Sequence, residues 1–236
     1  RSKYLTIQTK QTEERFILLL TDTFIYFYDF PNNQTVVSKI STAAEIIQNS
    51  LNIDYTRRLI VFVPGYKGYI KRDIEESVRQ TFKEVSDIYL IIIDHSAYTY
   101  EDEEKIESYS RSVLYSYYIG AVLGEFLAEF GYPGDKIHCV GHSLGSHIIG
   151  YAGGVYMNVT RVKFWRATGL DPAGPCFTDT PEEQLRSGVA KYVEVYHCNA
   201  GHLGTTQVLA DTNIFFNYKG KIQPNCDKGN LVFTNI

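Results

Sequence analysis

The chain contains, at residues 136–147, the stretch Lys136-Ile-His-Cys-Val-Gly141-His-Ser143-Leu-Gly145-Ser-His147. Its apolar first half predicts a buried β-strand over 136–140, and the apolar spacing after Ser143 predicts a helix. A serine in a Gly-x-Ser-x-Gly motif between a strand and a helix lies on a strained turn that projects its hydroxyl outward. The stretch therefore predicts a strand–turn–helix unit that presents a nucleophilic serine. A structural turn rich in Gly and Ser is the alternative.

Predicted strands and helices alternate around this stretch. Apolar runs predict further strands at 59–63, 88–93, 162–170 and 191–196. Helical spacing predicts helices at 42–48, 73–85 and 111–130. Such alternation implies an α/β fold, with a mainly parallel sheet covered by helices on both faces. Before these elements, the apolar runs Phe16–Leu20 and Phe24–Tyr28 predict a β-hairpin or a pair of edge strands.

A second residue with chemical significance is Asp171, which follows the predicted strand at 162–170 within Gly169-Leu-Asp-Pro-Ala-Gly-Pro175. Sites in parallel α/β sheets collect at the carboxyl ends of the strands. A serine hydroxyl is a weak nucleophile unless a histidine, itself oriented by a carboxylate, accepts its proton. Asp171 is therefore the candidate carboxylate, and a plain turn before Pro172 is the alternative.

Composition narrows the classes of function. The 236 residues are 44% hydrophobic and 21% charged, with a net charge of −4, which suits a folded globular protein and disfavours nucleic-acid binding. No apolar run approaches the roughly 20 residues that a membrane-spanning helix needs, so we expect no transmembrane segment. The cysteines and histidines lack metal-site spacing, and we expect no metal or other cofactor. Sequons at Asn33 and Asn158 favour an extracellular protein.

Four stretches resemble the pancreatic-lipase family of secreted α/β-hydrolases, which includes insect phospholipases A1 and insect yolk proteins. They are Gly141-His-Ser-Leu-Gly-Ser-His147, Gly169-Leu-Asp-Pro-Ala-Gly-Pro-Cys176, the Tyr-rich segment leading to Gly131-Tyr-Pro-Gly-Asp-Lys-Ile-His138, and Tyr192-Val-Glu-Val-Tyr-His197. The likeness runs from about residue 59 to residue 226. It implies an α/β-hydrolase fold in a single lipase-like domain over residues 1–236.

The resemblance also implies a role for individual residues. Ser143 would be the nucleophile and Asp171 the acid of the triad, while the backbone N–H groups of Leu144 and Tyr66 would form the oxyanion hole. The substrate would be a lipid or another ester. The short loop from Cys198 to Leu209 favours a phospholipid or a small ester over a bulky triacylglycerol.

The sequence departs from the family at three places. Pro64 stands before Gly65-Tyr66, where the family has His-Gly-aromatic, and His95 follows Asp94, where the family has Asp-Trp. The third departure is the triad histidine, which in the family follows the second cysteine of a lid.

Cys226 matches the first lid cysteine, and the printed chain then runs to Ile236 with neither the second cysteine nor the histidine. Since it also begins at Arg1 rather than Met, the chain reads as a processed chain or a fragment, truncated before the lid closes. Either a separate piece, such as a partner chain, supplies the histidine, or the protein lacks a base. From chain order alone, His202 and His197 are the alternatives within this sequence.

Two functions follow from these observations. The first is a secreted carboxyl-ester hydrolase of the lipase or phospholipase A1 type, with contact to a membrane surface. The alternative is a catalytically inactive protein with a lipase fold, which binds a lipid or apolar ligand or serves as a yolk-like store, alone or as one fragment of a larger processed assembly.

The cysteines give a separate set of expectations. Cys139 lies on a predicted central strand and should be a buried free thiol. Cys176 and Cys198 follow neighbouring strands and can pair if their Cα atoms lie within about 7 Å. Cys226 should be unpaired in this chain or bonded to a segment outside it.

Overall fold

An eight-stranded sheet organises the part of the chain that the computed structural model describes, which is residues 22–70, 73–100, 106–177, 184–221 and 223–224. In space the strands follow the order β2-β1-β4-β3-β5-β6-β7-β8. Their bounds are β1 Phe24–Asp29, β2 Gln34–Lys39, β3 Arg58–Val63, β4 Ile88–Asp94, β5 Ile137–His142, β6 Phe164–Leu170, β7 Ala190–His197 and β8 Thr212–Phe215.

The sheet is mainly parallel, as predicted. Strands β3 to β8 pair in parallel, and β1 is antiparallel to both of its neighbours, β2 and β4. All five strands that the sequence predicted for the parallel sheet are present, with ends within two residues of the expected positions.

The predicted N-terminal hairpin is wrong in its pairing. The strand at Phe24–Asp29 exists, but its hairpin partner is Gln34–Lys39, while the apolar run at 16–20 lies outside the described residues. The turn forms after β1 because Asn33 adopts a positive φ of 50° and donates its N–H to the carbonyl of Phe30 at 3.0 Å. Asparagine tolerates this conformation well. The second strand escaped prediction because it is mostly polar and exposed.

Helices cover both faces of the sheet. They are α1 Ala43–Ser50, α2 Asp73–Lys83, α3 Ser96–Thr99, α4 Ile106–Phe130 and α5 Leu144–Thr160. Buried side chains of α1, α4 and α5 pack on one face, and α2 packs on the other. The prediction of helices on both faces is confirmed, although the short helix α3 was not predicted.

The central strands are apolar throughout because both of their faces are buried. In β3, Leu59, Val61 and Val63 point towards α4 and α5, while Ile60 and Phe62 point towards α2. Each of these five side chains is at most 4% exposed. This alternation holds the carboxyl end of β3 firmly between two helical layers.

The cysteine predictions have different outcomes. Cys139 is a buried free thiol on β5, as expected, and burial raises its pKa. Cys176 is an exposed free thiol, so it does not form the pair with Cys198 that the sequence allowed. Cys226 lies outside the described residues.

Two glycines of α4 allow it to pack closely against α5. A Cβ atom on Gly120 would lie 2.9 Å from the carbonyl oxygen of Ile148, and one on Gly124 would lie 2.7 Å from that of Ala152. By contrast, a Cβ atom on Gly154 of α5 would have no heavy atom within 4 Å. The backbones of α4 and α5 are therefore in close contact at Gly120 and Gly124, whereas Gly154 lies on a side of α5 that has no close neighbour among the described residues.

This difference gives a matched pair of variants. Alanine favours a helix over glycine by about 0.5–1 kcal/mol, so Gly154→Ala should raise the free energy of unfolding by that amount. Gly124→Ala gains the same helix propensity but forces α4 away from α5, and we expect a net loss of about 1–3 kcal/mol. Urea unfolding followed by circular dichroism measures both. Equal effects of the two substitutions would contradict the close helix contact.

Candidate active site

Ser143 lies at the corner between β5 and α5, where the Gly-x-Ser-x-Gly motif predicted it. Its backbone has φ 51° and ψ −117°, a region that costs a non-glycine residue about 1–3 kcal/mol. Its N–H donates to the carbonyl oxygen of Leu170, at the end of the neighbouring strand β6, at 2.9 Å. The strained turn is thus tied to the strand that leads to Asp171.

The glycine two residues further on makes this corner possible. A Cβ atom on Gly145 would collide with the carbonyl oxygens of Val63 and Pro64, at the end of β3. The first turn of α5 therefore rests directly on the backbone that follows β3. Because Leu144 is the first residue of α5, its N–H has no carbonyl four residues back within the helix.

Asp171 follows β6 one strand away from Ser143. In the parallel register between β5 and β6, His142 lies opposite Leu170. Ser143 directly follows His142, and Asp171 directly follows Leu170. Asp171 has a positive φ of 47°, and its own N–H donates to the carbonyl oxygen of Tyr196 in β7 at 2.7 Å. Like Ser143, it occupies a constrained turn that is bonded to the next strand.

The carboxylate of Asp171 is anchored through one of its two oxygens. Oδ1 accepts hydrogen bonds from the backbone N–H groups of Cys198 and Asn199, each at 2.8 Å. A Cβ atom on Gly204 would lie 2.6 Å from the same oxygen, so the loop after β7 packs tightly around it. This arrangement immobilises the carboxylate and leaves Oδ2 to a further donor.

Tyr66 lies in the turn after β3, beside the serine. A Cβ atom on the preceding Gly65 would lie 3.0 Å from the Cβ of Ser143, which shows how closely the turn approaches the nucleophile candidate. The Tyr66 hydroxyl is 2.8 Å from the hydroxyl of Ser108 on α4, and its ring meets Tyr109 edge to face at 5.3 Å. These contacts hold the turn against α4.

An apolar cluster adjoins the start of α5. Leu144 is fully buried and packs with Val113, Ala173 and Phe177. Partly buried tyrosines extend the cluster, namely Tyr66, Tyr109 and Tyr117. Apolar and aromatic walls therefore lie next to the serine.

The histidines named from chain order differ in their surroundings. His197 is fully buried, with Nδ1 3.1 Å from the carbonyl oxygen of Thr205 and Nε2 3.3 Å from Oδ1 of Asn213, and it stacks on Phe215. Since both ring nitrogens are occupied, it is not available as a base. His202 is exposed, in the loop after β7.

Two histidines flank the serine in sequence, of which His147 is buried and His142 is half-buried. His147 donates from Nε2 to the carbonyl oxygen of Ala173 at 2.8 Å and accepts the N–H of Leu185 at Nδ1. Burial lowers its pKa to about 4, so it stays neutral and fixes the loop after Asp171. For His142, burial lowers the pKa and the nearby charge of Asp171 opposes that shift.

The four residues proposed from the sequence thus come together at one edge of the sheet. Tyr66, Ser143 and Asp171 follow the carboxyl ends of the neighbouring strands β3, β5 and β6, and Leu144 opens α5. The sequence did not reveal the backbone donors at 198 and 199, because an N–H group carries no residue signature. It also gave no sign of the contact between Tyr66 and Ser108.

The described residues contain no candidate for a metal centre or for a membrane-spanning helix. Within them, no group of three or more His, Cys, Asp or Glu side chains is arranged to hold a metal ion. None of the described helices combines the length and apolar character needed to cross a bilayer.

Comparisons with known proteins agree with this architecture. Human inactive pancreatic lipase-related protein 1 is 30% identical over 217 residues, which cover 88% of this chain and 44% of that protein. Pancreatic triacylglycerol lipase of Sus scrofa is 28% identical over 97% of this chain and 48% of the relative. Phospholipase A1 VesT1.02 of Vespa tropica is 35% identical over 50% of this chain and 38% of the relative.

The matched residues cover less than half the length of each of these relatives. A family model described as Lipase matches residues 2–235, nearly the whole sequence. With the α/β-hydrolase topology and the serine corner described above, this match shows that the chain belongs to the lipase family.

Proposed function

We propose that this protein is a carboxyl-ester hydrolase of the lipase or phospholipase A1 type, with Ser143 as its nucleophile. The observation that carries the proposal is the strained backbone of Ser143 beside an aspartate whose carboxylate is anchored through a single oxygen. A positive φ at a serine costs free energy that a purely structural turn could avoid with glycine.

The proposed reaction follows from the positions of these groups. The Oγ of Ser143 attacks the ester carbonyl carbon, and a histidine base removes the hydroxyl proton. The N–H groups of Leu144 and Tyr66 donate hydrogen bonds to the oxyanion that forms. The intermediate then collapses, the leaving alcohol takes the proton from the histidine, and water hydrolyses the acyl-enzyme.

Asp171 would orient that histidine. Its Oδ1 is occupied by two backbone donors, so Oδ2 would accept the Nδ1–H of the imidazole and stabilise its protonated form. His197 and His147 have both ring nitrogens engaged, and neither fits this role. We propose that the base comes from outside residues 1–236, supplied by the same protein or by a partner chain. The exposed His202, in the loop after β7, is the alternative within this sequence.

The substrate is proposed to be a phospholipid or a small ester. The apolar cluster around Leu144 would line the acyl side of the site. The loop after β7 is short, spanning residues 198–211 before β8 begins, and a short loop leaves space for a polar head group. Among the relatives, the wasp protein is named a phospholipase A1 and the pig protein a triacylglycerol lipase.

The alternative remains an inactive lipase-fold protein that binds or stores an apolar ligand. One relative is named an inactive lipase-related protein. The anchored carboxylate and the strained serine favour hydrolysis, because ligand binding alone needs neither. We further propose an extracellular location with contact to a membrane surface, on the basis of the two sequons and the proposed lipid substrate.

Substitution of the serine tests the proposed chemistry. In the full-length protein, Ser143→Ala should lower turnover of a short-chain nitrophenyl ester and of phosphatidylcholine by about 10⁴- to 10⁶-fold. Binding of a fatty acid should persist, because the apolar walls are intact. Near-zero turnover in both proteins, with retained fatty-acid binding, would support the inactive alternative instead.

A graded pair of substitutions separates the catalytic role of Asp171 from its structural role. In Asp171→Asn, the amide oxygen can still accept the N–H groups of Cys198 and Asn199, but the amide nitrogen cannot accept an imidazole N–H. We expect turnover to fall by about 10⁴-fold, with a melting temperature close to that of the parent. Asp171→Ala should lower both turnover and melting temperature. Full activity of the Asn variant would remove Asp171 from the mechanism.

A further inference from the structure

Two departures from the family pattern are in direct contact. His95 directly follows β4, and Pro64 directly follows β3. The imidazole of His95 is fully buried, and its Nε2 lies 3.1 Å from the carbonyl oxygen of Pro64. That carbonyl belongs to the turn that carries Tyr66.

We propose that His95 is a positioning residue that holds the Pro64-Gly65-Tyr66 turn, and thereby the Tyr66 N–H, in place to bind the oxyanion. This inference rests on the proposed hydrolase function and concerns the same site. His95 would not touch the substrate, because both of its ring nitrogens face protein atoms.

The hydrogen-bonding groups around the ring determine its tautomer. A carbonyl oxygen only accepts, so the Nε2 of His95 must carry the proton that bonds to Pro64. Nδ1 is then an acceptor. The Thr99 hydroxyl lies 2.7 Å from Nδ1 and 3.2 Å from the carbonyl oxygen of His95, and with Nδ1 unprotonated its proton points to the nearer nitrogen. Burial lowers the pKa of His95, which favours the neutral form of the ring.

The same short segment holds the other side of the turn. The carbonyl oxygen of Thr99, at the end of α3, accepts the N–H of Lys67 at 3.0 Å. Within the turn, the N–H of Gly68 donates to the carbonyl oxygen of Gly65 at 3.0 Å. The segment from His95 to Thr99 therefore bonds to the residues immediately before and after Gly65 and Tyr66.

The carbonyl that His95 binds also faces the nucleophile helix. A Cβ atom on Gly145 would collide with the Pro64 oxygen, so the first turn of α5 bounds this carbonyl on a second side. Rotation of the Pro64–Gly65 peptide would break the bond to His95 and reorient the backbone that leads to Tyr66. An N–H donor at the position of His95 Nε2 therefore favours the orientation of the Pro64–Gly65 peptide in which the Pro64 carbonyl points to residue 95.

Two substitutions at residue 95 separate positioning from simple packing. Glutamine places an amide N–H near the position of Nε2, whereas methionine fills a similar volume without a donor. Thr99→Val provides a milder test, because it removes the hydroxyl that orients the ring and keeps the backbone bond to Lys67.

The experiment combines two readouts on the full-length protein and these three variants. The first is hydrogen–deuterium exchange of the peptide that covers residues 64–70, with a peptide from β7 as the internal control. The second is kcat and KM for a short-chain nitrophenyl ester. Melting temperatures show whether each variant is folded at the assay temperature.

We expect His95→Met to speed exchange in the 64–70 peptide at least tenfold, with no change in the β7 peptide. Its kcat should fall by about 10²- to 10³-fold, the effect of losing one oxyanion donor, with KM within about threefold of the parent. His95→Gln should restore most of both properties, and Thr99→Val should lie between. If His95→Met fails to fold, the proposal is tested with the other two variants, and Thr99→Val should then show faster exchange and a lower kcat than His95→Gln.

Unchanged exchange in the 64–70 peptide would overturn the proposal, and so would equal losses in the Gln and Met variants or a loss carried by KM. If the parent protein hydrolyses no ester, the proposed function fails. The positioning role of His95 is then judged by exchange alone, since that readout does not depend on turnover.

Discussion

The positive φ of Ser143 is the constraint on which the rest of the site depends. A non-glycine residue adopts φ 51° only where its surroundings enforce it. The two strands beside β5 hold Ser143 in this conformation. The carbonyl oxygen of Leu170 in β6 accepts the Ser143 N–H, and the backbone at the end of β3 lies directly against Gly145. The buried alternation of β3 between two helical layers keeps this backbone in place.

The same register brings the other groups to the serine. Because β3, β5 and β6 are adjacent and parallel, the turns that follow them share one edge of the sheet. Asp171 is held in the same way as Ser143, because it also has a positive φ and donates its N–H to the next strand. Backbone groups supply most of the fixation, so the site is held by the fold more than by contacts between its own side chains.

The sequence predicted the parts of this arrangement that depend on residue type. The serine corner was predictable because a Gly-x-Ser-x-Gly motif between a strand and a helix leaves few other conformations. Asp171 was predictable because it ends an apolar run beside a proline. The four-residue strand β8 was missed, since all of its side chains are half-buried and no alternation marks it. The anchoring of Asp171 and the contact of His95 with Pro64 were also missed, because both end on backbone atoms.

We propose that Ser143 is an activated nucleophile. Treatment of the full-length protein with a fluorophosphonate, which bonds to activated serines, tests this role when the adduct is mapped by mass spectrometry of peptides. We expect a single stoichiometric adduct on the peptide that contains Ser143. An adduct on another residue, or none under conditions that label a control serine hydrolase fully, would contradict it.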